Sequence, residues 1–314
     1  MKELMSLKFC KTSILTCLIV GLCLASVACS KPTSLSSPPS PTSDLTSAYL
    51  GQEPPGMTPT PFASELLLSP SGETHSVCQF SPDGTEVYWS SIESDGLTYH
   101  LYYMNLENGA WTKPAAAPFS EKGDSPTFSA DGKKLYFSQM VDGKENIYVV
   151  ERINGTWSTP TALPDVVNSL KVHWTMSLTS NGDLYFSGHE PEKSDATIND
   201  IYRAEQVNGQ FIRVTKLDEL VNSASREFCP FITRDGSYLI FARTASFTDR
   251  PNLFVSFRSI DGTWGTPVEL PSSVNTYGSE LCPWVSDDGK YLFFTRNNQI
   301  YWVDAKVIES VRPK

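Results

Sequence analysis

Two histidines and three acids recur at nearly one offset from a glycine. His75, His173, Glu227 and Glu280 each stand nine residues before a glycine, and Asp124 stands eight before its own. Neutral imidazole and carboxylate oxygen together suit zinc, manganese or calcium, and carboxylates about 5 to 10 Å apart in a cleft suit glycan hydrolysis. The plainer reading, which carries more weight, is that these side chains hydrogen-bond exposed strand ends and line a wet channel. Trp174 and Trp284 lie beside the set, where they would stack on a sugar or pack between structural units, the second being the commoner use. Cys229 and Cys282 each follow a glutamate of the set by two residues. A disulfide between them is conceivable in an oxidising compartment, but equivalent positions in neighbouring repeats usually lie too far apart for one, so they are expected to be buried free thiols. His100 and His189 fall in expected loops and fit no pattern. Gly-x-Ser-x-Gly elbows, Gly-rich phosphate loops and Cys-x-x-Cys pairs are absent from the sequence, so nucleophilic catalysis, nucleotide chemistry and a structural zinc site have no motif.

The glycines that set this alignment belong to a five-fold repeat. Its copies are Ser81-Pro82-Asp83-Gly84, Ser129-Ala130-Asp131-Gly132, Thr179-Ser180-Asn181-Gly182, Thr233-Arg234-Asp235-Gly236 and Ser286-Asp287-Asp288-Gly289, each before an apolar, aromatic run. Glycine to glycine, the spacings are 48, 50, 54 and 53 residues, the period of a four-stranded propeller blade. Asp-Gly and Asn-Gly supply the positive backbone angles of tight hairpins, so the aspartates are read as turn residues rather than catalysts. A second hairpin follows in four copies, at Asn108-Gly109, Asn154-Gly155, Asn208-Gly209 and Asp261-Gly262, with an aromatic residue opening the next strand. The fifth copy lacks a clear outer strand. Residues 61–68 resemble the outer strands of the other copies and are predicted to fill that place, closing the ring. The expected fold is an all-β, five-bladed β-propeller of four-stranded antiparallel blades over residues 61–314.

Ahead of it the composition changes twice. Lys2, Lys8 and Lys11 precede an apolar run from Ile14 to Val27 and the small residues before Cys29, the pattern of a signal peptide over residues 1–28. The run is too short for an ordinary membrane span. Residues 29–60 are dominated by Pro, Ser and Thr and read as a tether that cannot bury enough apolar surface to order itself. The 314 residues carry 25 basic and 35 acidic side chains, a net charge of -10. Nucleic acid is therefore not an expected partner. Only Cys78, Cys229 and Cys282 remain in the predicted propeller, so it is no disulfide scaffold.

The Ser-Pro-Asp-Gly turn with its following Tyr/Phe strand resembles the repeats of the TolB-like, or WD-like, β-propeller family over residues 62–304. The element running from Ile147-Tyr148 to Asn154-Gly155-Thr156-Trp157-Ser158-Thr159-Pro160 resembles the variant found with outer-membrane, peptidoglycan-associating proteins. The residues around Cys29 resemble the bacterial lipobox, with Ser26 where the family usually has Leu. The resemblance implies that Cys29 is the lipid anchor of a periplasm-facing outer-membrane lipoprotein; without acylation of Cys29 the protein is expected to be secreted. It implies a monomeric binding module for an envelope protein, a peptide or a glycan, touching the membrane through its lipid only. The alternative is a carbohydrate-active hydrolase or lyase, since some oligogalacturonate lyases hold a metal in a propeller channel; their histidine cluster is not reproduced here. No cofactor is expected, unless the ring of His75, Asp124, His173, Glu227 and Glu280 holds a divalent cation.

Overall fold

The computed structural model describes residues 48–67, 72–96, 98–170, 174–189, 199–246 and 248–314. The expected signal peptide, the expected lipid anchor Cys29 and His173 lie outside the described residues. Five antiparallel sheets stand radially as the five blades of a propeller. Blade 1 runs outward from an interrupted inner strand, Gly72–Thr74 and Gln79–Phe80, through Glu86–Glu93 and Tyr99–Glu107. Blade 2 runs from Asp124–Phe128 through Lys134–Val141 to Lys144–Ile153. In both, two short pieces share the outer place: Ala110–Trp111 with Ala115–Ala116, and Thr156–Trp157 with Thr161–Ala162. Blade 3 is Trp174–Leu178, Leu184–Gly188, Asp200–Val207 and Gln210–Lys216, and blade 4 is Arg226–Ile232, Tyr238–Thr244, Asn252–Phe257 and Val268–Glu269. Blade 5 takes Glu280–Val285, Tyr291–Arg296 and Gln299–Asp304 from the C-terminal region and Thr60–Pro61 from the other end.

That last pairing is the predicted closure, in a shorter form. Thr60 pairs with Trp302 and Pro61 with Tyr301, and the Phe62 amide donates to the Ile300 carbonyl at 2.9 Å. Phe62 is fully buried between Phe293 and Trp302, with ring centroids 5.0 and 4.9 Å away. Residues 48–60 do not behave as the tether that their composition suggests. Tyr49 packs edge-on to Phe80 and Tyr291, Leu50 is fully buried, and the Asp304 amide donates to the Gly56 carbonyl.

The two hairpin types differ in the way their side chains allow. Asn108-Gly109, Asn154-Gly155 and Asn208-Gly209 have positive φ at both residues, the two-residue turn expected of Asn-Gly. In the first motif only the glycine is left-handed, with Gly84 at φ 70° and Gly132 at 68°, so these are four-residue loops rather than tight hairpins. The aspartate folds back instead: Asp83 accepts from the Ser81 hydroxyl at 2.6 Å and from the Thr85 amide at 3.0 Å, and Asp131 repeats this with Ser129 and Lys133. These side chains satisfy the loop's own donors, which accounts for their recurrence.

Aromatic side chains from alternating strand faces fill the gaps between blades. Tyr88 of blade 1 meets Phe128 of blade 2 edge-on at 5.6 Å, and its hydroxyl accepts from the Trp157 indole at 2.9 Å. Trp284 packs on Phe293 and on Phe80 of blade 1, so it is a contact between blades 5 and 1. The Trp174 side chain lies outside the description.

The candidate site at the channel mouth

Four of the five inner strands are bulged at one repeat position, and that of blade 1 is interrupted there. Ser125, Thr175, Cys229 and Cys282, all seven residues before their turn glycine, have positive φ, and the pairing register slips at each. Such a bulge re-aims side chains at the point where five strands converge. The channel is consequently tight: the space among Ser76, Ser125, Met176, Pro230 and Cys282 is about 20 Å³, about enough for one water. One mouth is bridged. The Arg234 guanidinium donates to the carbonyls of Phe128 at 3.0 Å and Leu178 at 3.2 Å and pairs with Asp287 at 3.1 Å, tying blades 2, 3, 4 and 5 at the end where the first turns lie. Of the aligned set, His75, Asp124, Glu227 and Glu280 lie toward the other mouth, ahead of the bulges in chain order.

There the structure separates the set. Glu227 and Glu280 are completely buried and turn into their own blades. Glu227 accepts from Arg243 Nε at 2.7 Å and from the Ser223 hydroxyl at 2.6 Å; Glu280 accepts from Arg296 Nε at 2.9 Å and from the Thr276 hydroxyl at 2.7 Å. Each arginine then donates to a loop carbonyl, Val221 at 2.9 Å or Val274 at 2.7 Å, and lies over aromatic rings of its own blade. A charge removed from water needs such a partner, and the partner is supplied across the strand pair. The two acids are therefore internal locks rather than members of a ring. Among the described residues, no three His, Cys, Asp or Glu side chains come together as metal ligands.

His75 and Asp124 do meet. His75 Nδ1 lies 3.0 Å from the Asp124 carboxylate, which also accepts from the hydroxyls of Ser90 and, at 3.1 Å, Ser125. Burial disfavours the imidazolium, but the Asp124 carboxylate outweighs it and raises the His75 pKa above its ordinary value. Burial likewise works against the Asp124 anion, and His75 with the hydroxyl donors outweighs it, so that carboxyl is held below the usual range. The His75 ring stands edge-on to Tyr99 at 4.7 Å. Tyr99 and Asp124 in turn line a cavity of about 270 Å³ between blades 1 and 2, with Lys122, Ser138, Gln139 and Glu145 in its wall. Gly123 at its edge has φ 147°, and a Cβ there would sit 2.7 Å from Phe137 and 2.9 Å from Leu101. The cavity is near the lower end of the usual ligand range and presents both signs of charge.

Sequence reading missed Tyr99, Lys122, Gln139 and Glu145, which sit in strands and loops whose periodicity marks them as framework. Of the two unpatterned histidines, His189 lies outside any strand, as expected, and His100 does not. His100 is in a strand, with Nε2 2.5 Å from Glu93, and His189 is buried. Three asparagines were missed as well: Asn168, Asn222 and Asn275 each clamp a loop by accepting from and donating to one residue of a neighbouring strand. Their signal is a recurring Val-Asn pair, Val167-Asn168, Val221-Asn222 and Val274-Asn275.

No family model matches the chain, and no curated protein matches it. Solved structures do. TolB from Acinetobacter baumannii is 18% identical with a TM-score of 0.49, over 76% of this chain and 55% of that protein, so this chain spans about half its length. A TolB-type protein from Agrobacterium tumefaciens is 19% identical with a TM-score of 0.51, over 76% and 72%. The nidogen/laminin complex gives 14% identity and a TM-score of 0.50 over 81% and 88%. At these identities the likeness is one of fold. With five radial sheets and the Agrobacterium structure beside it, the fold of this chain is a TolB-like β-propeller.

Proposed function

We propose that the chain is an exported, lipid-anchored envelope protein whose propeller is a binding module, and that the cavity between blades 1 and 2 receives a polar peptide segment of an envelope partner. The observation that carries this is the His75–Asp124 pair, set behind a cavity of about 270 Å³ whose wall offers Lys122, Glu145, Ser138 and Gln139. Opposed charges beside amide and hydroxyl groups suit a peptide backbone with its mixed side chains, and rigid strands on either side pre-organise them. The TolB-like fold supports a protein-binding role. The leader, Cys29 and the Pro/Ser/Thr stretch support export and tethering. Among the described residues no helix is long and apolar enough to cross a membrane. A glycan-cleaving role built on Glu227, Glu280 and Asp124 has less support, because the first two are held by arginines inside their blades.

The test is capture of envelope proteins on the immobilised chain, with Lys122→Glu and Glu145→Lys as charge reversals in the cavity wall. A partner retained by the native chain and lost by both variants supports the reading. Equal retention by all three, or turnover of a polysaccharide by the native chain, overturns it. Incorporation of labelled fatty acid that disappears in Cys29→Ser tests the anchor separately.

A further inference from the structure

Two thiols face each other inside the channel without a bond. Cys229 of blade 4 and Cys282 of blade 5 are both buried and both stand on the left-handed bulge residue of their strands. The bulge swings each side chain toward the neighbouring blade, and the sulfurs come to 3.6 Å, although the residues are 53 positions apart in sequence. The expectation that equivalent positions in adjacent blades lie too far apart rested on regular strands, and the bulges remove that premise. We propose that Cys229 and Cys282 form a disulfide that staples blade 4 to blade 5.

In the closed channel the two thiols are already paired by a hydrogen bond. Cys229 has its thiol pKa lowered, chiefly by the hydrogen bond from Cys282, with Thr175 and the His75 charge adding to this against the effect of burial. Cys282, the donor, is correspondingly raised. Before the ring closes either thiol can attack, and the steps are the same with the two exchanged. The oxidant is a second disulfide, such as oxidised glutathione or the disulfide of an oxidoreductase. The Cys229 thiolate attacks one of its sulfurs, forming a mixed disulfide and expelling one thiolate. Cys282 then gives up its proton and attacks the Cys229 sulfur, expelling the second. The protein loses two hydrogens and two electrons, and the oxidant leaves as two thiols. The channel is too narrow for such a reagent, so exchange belongs to the stage at which blades 4 and 5 are coming together. Once formed, the bond is shielded from reductants by the same burial.

The full chain, reduced and unfolded in urea, is refolded by dilution into a glutathione redox buffer or into reductant, alkylated and digested with trypsin. The expected product of the first arm is residues 227–234 joined to residues 259–290, lighter by two hydrogens than the separate peptides and released by reduction. Closing a loop of this length is expected to raise Tm by about 10 °C over the reduced protein. Both effects should vanish in Cys229→Ser and in Cys282→Ser and persist in Cys78→Ser. Alkylation of Cys229 and Cys282 in the chain refolded with glutathione, or pairing of either with Cys78, overturns the proposal.

Discussion

Replacing Arg296 by Met removes the cation that pairs with Glu280 while keeping most of the volume of the side chain. Glu280 is fully buried and the Arg296 side chain is 15% exposed, so water screens the pair little. The Thr276 hydroxyl would remain on the carboxylate, but the charge would stay uncompensated in a site with no solvent. Breaking a buried pair from one side costs about 3 to 5 kcal/mol. That is a large share of the ~5 to 15 kcal/mol that holds a domain together, and in a domain of this size it corresponds to a fall in Tm of about 6 to 20 °C. Urea denaturation followed by tryptophan fluorescence reads the loss directly. A double variant, Glu280→Leu with Arg296→Met, removes both charges and should recover to within about 1 kcal/mol of the native protein, because an apolar pair of similar volume replaces the ion pair without stranding either partner. A single variant costing under about 1 kcal/mol, or a double variant no better than the single, would show that Glu280 is not an internal lock.

Phe62→Ala should cost about 3 to 5 kcal/mol in the same assay, since the ring is wholly buried at the closure; an effect like that of an exposed substitution such as Ile153→Ala would mean that the clasp contributes little. Gly123→Ala should destabilise the edge of the cavity through both its positive φ and the clash with Phe137, seen as a lower Tm and weaker partner capture; native behaviour in both refutes the steric account. The His75–Asp124 pair should give a stability contribution bounded on both sides by pH. Because the His75 pKa is raised, its share is complete below its ordinary value of 6.5 and is lost as pH rises through the elevated value. Because the Asp124 pKa is lowered, its share is complete above 3.8 and is lost as pH falls through the depressed value. The Tm difference between the native chain and His75→Gln should therefore be greatest between about pH 4 and 6.5; a difference that grows above pH 8 contradicts the pairing.

Blade number and strand order were legible because a turn that needs glycine and an aromatic strand that needs two buried faces leave the same imprint five times. The closure was legible too, since residues 61–68 look like outer strands, although only Thr60–Pro61 and the Phe62 amide pair in that way. The site was less so. Aligning residues by offset from the glycine groups side chains by their height along the inner strands, but direction depends on partners that offset alone does not show. Glu227 and Glu280 are claimed by arginines sixteen residues downstream, whereas at the matching place after their turn glycines Ser91 stands in blade 1 and Gln139 in blade 2, and there the acid and histidine find each other instead. The bulges were hidden because serine, threonine and cysteine have no preference for a left-handed backbone; only packing of five strands about an axis imposes it. Tyr49 and Leu50 were hidden by the composition of their neighbours.

The clasp between the two ends of the propeller has a consequence for synthesis. Thr60 waits for Trp302, about 240 residues later, so the first strand leaves the ribosome long before its partner exists, and the ring cannot shut until nearly all of the chain has been made. Contacts so remote in sequence form slowly. For a chain exported as proposed above, that delay is useful: the propeller would lock only on the far side, once both ends have arrived.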